Sequence, residues 1–211
     1  ANESGIVVDW TSGALIVGNY VAKCGNSGIF VKDGDHCVIV GNICVNNNQR
    51  GNTNVLDSGI AIAQVRDGET AHYHLVIGNK AYDNQSTKTQ RYGYHTYGDA
   101  NYHFICLNDF RGNAIGGIKL EGTYTNTILF KNAGYVTENA GVATGLKDGS
   151  YIPHGLDITP TVVTLTCLNA TYDGVPVIVT WNKALTNSTH IAVNIYWANG
   201  TAITDPVIAV S

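Results

Sequence analysis

A short unit with a glycine at one end and an asparagine at the other occurs five times in this chain. It constrains the fold more than any other feature. Ser4-Gly-Ile-Val-Val precedes Leu15-Ile-Val-Gly-Asn19, Ser27-Gly-Ile-Phe-Val precedes Val38-Ile-Val-Gly-Asn42, and Ser58-Gly-Ile-Ala-Ile precedes Leu75-Val-Ile-Gly-Asn79. Looser copies are Tyr92-Gly-Tyr-His-Thr with Phe104-Ile-Cys-Leu-Asn108 and Gly116-Gly-Ile-Lys-Leu with Ile128-Leu-Phe-Lys-Asn132. The first glycines are 23, 31, 34 and 24 residues apart, yet the distance from Gly to Asn is 14, 14, 20, 15 and 15. A fixed unit with variable spacers is the mark of stacked repeats carrying loops.

Aligned on the glycines, Ile6, Ile29, Ile60, Tyr94 and Ile118 form one column, and Val8, Val31, Ile62, Thr96 and Leu120 another. Alternate strand side chains share a face, so both columns are expected to point inward. The columns between them are mixed: Val7, Phe30, Ala61, His95 and Lys119, then Asp9, Lys32, Ala63, Tyr97 and Glu121. They read as an outer face. Aligned on the asparagines, Ile16, Ile39, Val76, Ile105 and Leu129 suit the interior, as do Val21, Cys44, Ala81, Phe110 and Gly134. The repeated Asn is expected to stack with its equivalents, its amide bonding to the next coil; Asn also tolerates left-handed backbone.

One strand, a turn and a second strand in about 23 residues make a coil of a β-solenoid, each coil burying its apolar columns against its neighbours. Helical solenoids need a 3.6-residue period, which is absent. A propeller blade needs about 40 residues. Over residues 4–140 the Ser-Gly-Ile-x-Val and Ile-x-Gly-Asn units resemble right-handed parallel β-helix repeats of the pectin-lyase-like superfamily. The expected fold is all-β: a right-handed parallel β-helix of about five coils over 1–140, a cap or linker over 141–159, and a small antiparallel β-sandwich-like domain over 160–211. In that last part, strands are expected at 161–168, 175–181 and 191–197, with 207–210 as a fourth. Tyr172-Asp-Gly and Asn199-Gly mark turns.

Composition narrows the function. A net charge of −4 provides no electrostatic footprint for nucleic acid. No apolar run reaches membrane-spanning length, so no membrane insertion is expected. Five Cys without CxxC spacing argue against a zinc site. Asn-x-Ser/Thr triplets at Asn2, Asn84, Asn169, Asn187 and Asn199 are what chance yields in a chain so rich in Asn. Cys37, His74 and His103 share a column five residues before each Asn and read as structural; no metal and no cofactor are expected. No cap precedes the first coil, as expected of the C-terminal part of a longer chain.

The second strand's other face holds Leu15, Val38, Leu75, Phe104 and Ile128, then Val17, Val40, Ile77, Cys106 and Phe130. If these point out, an apolar strip five coils tall faces water, more than soluble monomers leave uncovered. A parallel homotrimer would cover it. Pro153-His-Gly-Leu, Thr159-Pro-Thr and Tyr196-Trp resemble the small β-domain that closes some β-helical spike and fibre proteins of viruses and phages. That resemblance implies trimers that bind, and in some cases cleave, cell-surface glycans, at a virion surface or outside the cell.

Polygalacturonases of the superfamily resemble one another in motifs absent here, such as a double Asp and Gly-His-Gly; Gly117-Ile-Lys is a partial echo of their Arg-Ile-Lys motif. Pectate lyases resemble one another in a calcium-binding carboxylate cluster, and the carboxylates here are scattered. The best candidate surface is the outer face of the first strand, with His95, Tyr97, Lys119 and Glu121 as ligand contacts. Asp99 lies close by. Adjacent coils are about 4.8 Å apart, so Asp99 and Glu121 are the candidate catalytic carboxylates, at a spacing of about 5 to 9.5 Å. The function expected is non-enzymatic attachment with glycan contacts. The alternatives are a polysaccharide lyase or glycoside hydrolase of the same superfamily, and a structural extracellular fibre subunit.

Overall fold

The computed structural model describes residues 3–168, 171, 172, 174–204 and 208–211. Asn2, Asn169, Asp173 and Val207, named above, lie outside them. The chain is all-β and divides into two compact units, Ala1–Tyr135 and Val136–Ser211.

In the first unit the strands pair in parallel in three sheets, and an isolated antiparallel bridge joins Asn132 and Tyr135. The first sheet contains β1 (Ile6–Asp9), β4 (Ile29–Lys32), β7 (Ser58–Ala63), β10 (Tyr92–Tyr97) and β12 (Gly116–Leu120), in that order. The second contains β2 (Leu15–Val17), β5 (Val38–Val40), β8 (Leu75–Ile77), β11 (Phe104–Cys106) and β13 (Ile128–Phe130). A third strand follows the asparagine, as β3 (Tyr20–Ala22), β6 (Ile43–Val45) and β9 (Lys80–Tyr82). The repeat spacing predicts two strands per pass, so this third sheet is an addition. Its only sequence trace is the column Val21, Cys44 and Ala81.

The register is the one the repeats dictate. Ile6 pairs with Ile29 and Ile29 with Ile60, Tyr94 with both Ile60 and Ile118, and Ile16 with Ile39. In-register parallel pairing places like side chains over like, so each inward column becomes a continuous stack. Ile29, Val31, Ile39, Ile60, Ile62, Val76, Tyr94, Ile105 and Phe110 are buried in one core. Gly134, placed inward by the alignment, is exposed instead. The glycines that open each unit serve close packing. A Cβ on Gly59 would lie 2.6 Å from Ala81 Cβ, and one on Gly93 would lie 2.5 Å from Phe110 Cβ.

The asparagines form a hydrogen-bonded ladder. Asn42 Nδ2 donates to Asn79 Oδ1 at 3.0 Å and to the Ile16 carbonyl at 2.9 Å. Asn79 repeats this with Asn108 and Ile39, and Asn108 with Asn132 and Val76. The left-handed residue is the one before the Asn. Gly18, Gly41 and Gly78 have φ of 67°, 63° and 63°, and Leu107 and Lys131 hold the same conformation at 57° and 49°.

The second unit is antiparallel. β15 (Tyr151–Pro153), β18 (His190–Trp197), β17 (Val175–Asn182) and β16 (Thr171–Tyr172) make a four-stranded sheet, and β14 (Ala143–Leu146) pairs with β19 (Ile208–Val210). Leu146, Val193, Ile195, Ile203, Ile208 and Val210 form its core. Two expectations need correction. The stretch 141–159 is more than a linker, because β14 and β15 supply ladder partners to β19 and β18. The stretch 161–168 is not a strand. It holds one antiparallel bridge, Cys167 to Val210, with Thr166 and Leu168 bonded to Ser211 and Ala209.

Candidate functional site

The outer face of the first sheet is not open water. The spacer between β6 and β7 folds back over it and ends in a tight 3-10 turn at Val55–Asp57, where Asn54 Oδ1 accepts a bond from the Leu56 amide at 3.0 Å. The turn lies against β7 and β10. Ala61, Ala63 and His95, all on the outer face, are therefore fully buried. The small side chains of Ala61 and Ala63 leave room for that cover.

Between this cover and the sheet lies a cavity of about 510 Å³. Thr53, Asn54, Val55 and Leu56 line it from the spacer; Phe30 and Lys32 from β4, Val65 beyond β7, Tyr97 from β10, and Lys119 and Glu121 from the last pass complete it. An apolar wall with a few polar groups is the usual build of a small-molecule site. Of the expected ligand contacts, Tyr97, Lys119 and Glu121 line the cavity. His95 does not reach it and stands behind Glu121.

A line of charge runs from the cavity into the protein. Lys119 Nζ lies 2.8 Å from Glu121 Oε1, and Glu121 Oε2 lies 2.8 Å from His95 Nε2. On the far side of the ring, His95 Nδ1 lies 2.8 Å from Asp57 Oδ1. Asp57 Oδ2 in turn accepts from Arg91 Nη1 at 3.0 Å. The Tyr92 ring packs edge-on against His95 and beneath the Lys119 ammonium. The Lys119 ammonium, with His95 behind it, holds the Glu121 carboxyl below the usual carboxylate range against the opposing effect of burial. Asp57 was not among the residues singled out from sequence. The signal available was its position: it immediately precedes Ser58-Gly59, and its backbone is in register with Arg91, an opposite charge one pass away.

The proposed carboxylate pair is not assembled in the cavity. Asp99 is bound by His72 Nε2 at 2.9 Å and is not among the lining residues. Among the described residues Glu121 is the one carboxylate lining the cavity, and its lowered pKa keeps it ionised, the opposite of what a general acid needs.

The buried histidines have structural partners. His74 Nδ1 accepts from the Cys37 amide at 3.1 Å. His103 Nε2 lies 2.7 Å from the Ala71 carbonyl and must donate to it, so Nδ1 accepts from the Tyr94 hydroxyl at 2.8 Å. Burial pushes His74 down to about 3 and His103 to about 4, from 6.5, leaving both neutral. Among the described residues no group of three His, Cys, Asp or Glu is placed to hold a metal ion. No family model matches the chain, and neither a curated protein nor a solved structure matches it.

Proposed function

We propose that the first unit is a right-handed parallel β-helix and that the protein is a trimeric attachment protein of a virion or cell surface, which binds a glycan in the cavity on its first sheet. The handedness follows from the crossover rule, since connections between parallel strands of one sheet are almost always right-handed. The observation that carries the function is the cavity wall itself. It sets the Tyr97 ring beside the Lys119–Glu121 pair, a flat apolar surface next to one fixed donor and one fixed acceptor. A sugar ring presents the matching features, an apolar face and an edge of hydroxyls. The ionised, solitary carboxylate favours binding over bond cleavage.

The assembly is supported by the second sheet. Its outward side chains include Leu15, Val17, Phe104, Ile128 and Phe130, all exposed, with Leu15 at 71%. Three copies around one axis would bury this strip and leave no open sticky face.

A glycan array, followed by titration of the best ligand into the Tyr97→Ala protein, tests the reading. Binding by the unmodified protein and a loss of about two- to tenfold in the variant are expected, since stacking on an aromatic ring contributes roughly 0.5–1.5 kcal/mol. Incubation with a panel of bacterial polysaccharides tests the enzymatic alternative: new reducing ends or unsaturated products would replace the attachment reading with a hydrolase or lyase. A blank array at high protein concentration would favour a purely structural fibre subunit.

A further inference from the structure

The line from Asp57 through His95 to Glu121 imposes a condition on its protons. Both ring nitrogens of His95 lie 2.8 Å from a carboxylate oxygen. At that separation two acceptors repel, so each contact needs a hydrogen between the heavy atoms. A neutral imidazole supplies only one. Glu121 is held in its ionised form by Lys119 and supplies none. Asp57 directs its other oxygen at the Arg91 guanidinium, the partner of an anion. The groups facing the ring are thus Asp57 from the 3-10 turn, Arg91 and Tyr92 at the start of β10, and Lys119 and Glu121 from the last pass. They amount to two carboxylates and two cations around a ring with no exposure to solvent.

We propose that His95 carries both protons and is the positioning residue of Glu121, which it fixes as an acceptor-only reader of a pair of adjacent sugar hydroxyls. This rests on the glycan reading above and names the chemistry recognised, a vicinal diol. The Glu121 carboxylate has about four lone-pair positions. One on Oε2 meets His95 and one on Oε1 meets Lys119. Each oxygen keeps one more, and the side chain is 40% exposed on the cavity wall. Two parallel acceptors match two neighbouring O–H donors, as they match the fork of a guanidinium. Leu120 pairs with Thr96, so Glu121 and Tyr97 are neighbours on the outer face. A ring whose diol edge meets Glu121 can lay its apolar face on Tyr97. Without His95, Glu121 would be free to swing onto Lys119 alone.

Two measurements on the full chain test this. The first needs no ligand: the ¹⁵N resonances of the His95 ring, assigned by their loss in His95→Gln. Both nitrogens should fall in the protonated class at neutral pH. One protonated and one bare nitrogen would overturn the positioning role. The second is a titration with methyl glycosides of glucose, galactose and mannose and with their single-deoxy analogues. At least one glycoside should bind, and removing either hydroxyl of one adjacent pair should weaken it by about tenfold. Glu121→Gln, which replaces one acceptor by a donor, should abolish that discrimination. A glycoside bound equally well in every deoxy form sinks the diol proposal and leaves the glycan reading standing. No binding to any glycoside or to the array sinks both.

Discussion

The asparagine ladder shows how one residue type can hold a stack together. Each interior Asn accepts from the previous pass and donates to the next, and also satisfies a strand carbonyl. Asn79 is buried, and its Nδ2 reaches Asn108 Oδ1, the Ile39 carbonyl and the Ile77 carbonyl at 2.8 to 3.1 Å. Its Oδ1 accepts from the buried Asn42 amide at 2.9 Å. Asn79→Ala would leave that amide unpaired and remove one bond each from Asn42 Nδ2, Asn108 Oδ1 and the two carbonyls, at roughly 1–3 kcal/mol for an orphaned buried group before relaxation. A loss of about 3 kcal/mol or more in urea unfolding is expected. Asn19 ends the ladder and is partly exposed, so Asn19→Ala should cost about 1 kcal/mol or less. Equal losses at the two sites would contradict a ladder whose value lies in burial. The residue before each Asn provides a second test. Leu107 holds φ of 57° and is exposed, where earlier passes have glycine. A left-handed L-residue costs about 1–2 kcal/mol. Leu107→Gly should therefore stabilise the protein, by up to about 1 kcal/mol after the entropic cost of glycine is subtracted. A lower melting temperature would show that the Leu107 side chain contributes more than its backbone loses.

Among the elements, the two larger sheets differ in what they do with their outer faces. The first sheet is covered by its own spacer, which creates a cavity. The second sheet is left with short strands whose outward residues are apolar. Val40 pairs with Ile77, so the two form adjacent steps of the strip, and the residues before them, Ile39 and Val76, are buried in the core. A double change of Val40 and Ile77 to Asp should leave the core columns intact. It should convert the proposed trimer to monomer in light scattering at micromolar concentration, because two buried like charges on each of three chains cannot be paired. A monomer mass for the unmodified protein would end the trimer proposal.

For the molecule as a whole, pH is the informative variable. His74 and His103 bind a proton near 6.5 when unfolded, but in the folded protein only near 3 and 4. Between those limits the unfolded chain binds more protons, so stability falls as the pH drops below about 6.5, by about 1.4 kcal/mol per pH unit for each histidine. The carboxyls of Asp9, Asp109 and Glu121 are lowered by Arg66, Arg111 and Lys119 respectively, so their contribution is present above their unfolded values and is lost only at lower pH. Denaturant unfolding between about pH 6 and 5, where the unfolded chain's histidines take up protons that folded His74 and His103 do not, reads this loss. A flat profile there would mean that they are not buried in the neutral form. The parallel stack itself was legible in the sequence, because an in-register solenoid repeats its local environment and therefore its residue types. Gly5, Gly28 and Gly59 are glycine because the next strand's backbone and side chains leave no space for a Cβ. Ile16, Ile39 and Val76 are apolar because each packs on its own equivalent. Tyr97, Lys119 and Glu121 were legible too, as outward positions of an identified strand. What the sequence did not disclose depends on the irregular spacer. The segment 53–57 has no counterpart in the other passes, so no column predicts that it turns back over Ala61 and Ala63. Only the tertiary structure brings Asp57 to His95, 38 positions later in the chain. The same contact separates His95 from the cavity and places it behind Glu121, because burial and hydrogen bonding at that site are set by chain closure in space and not by periodicity.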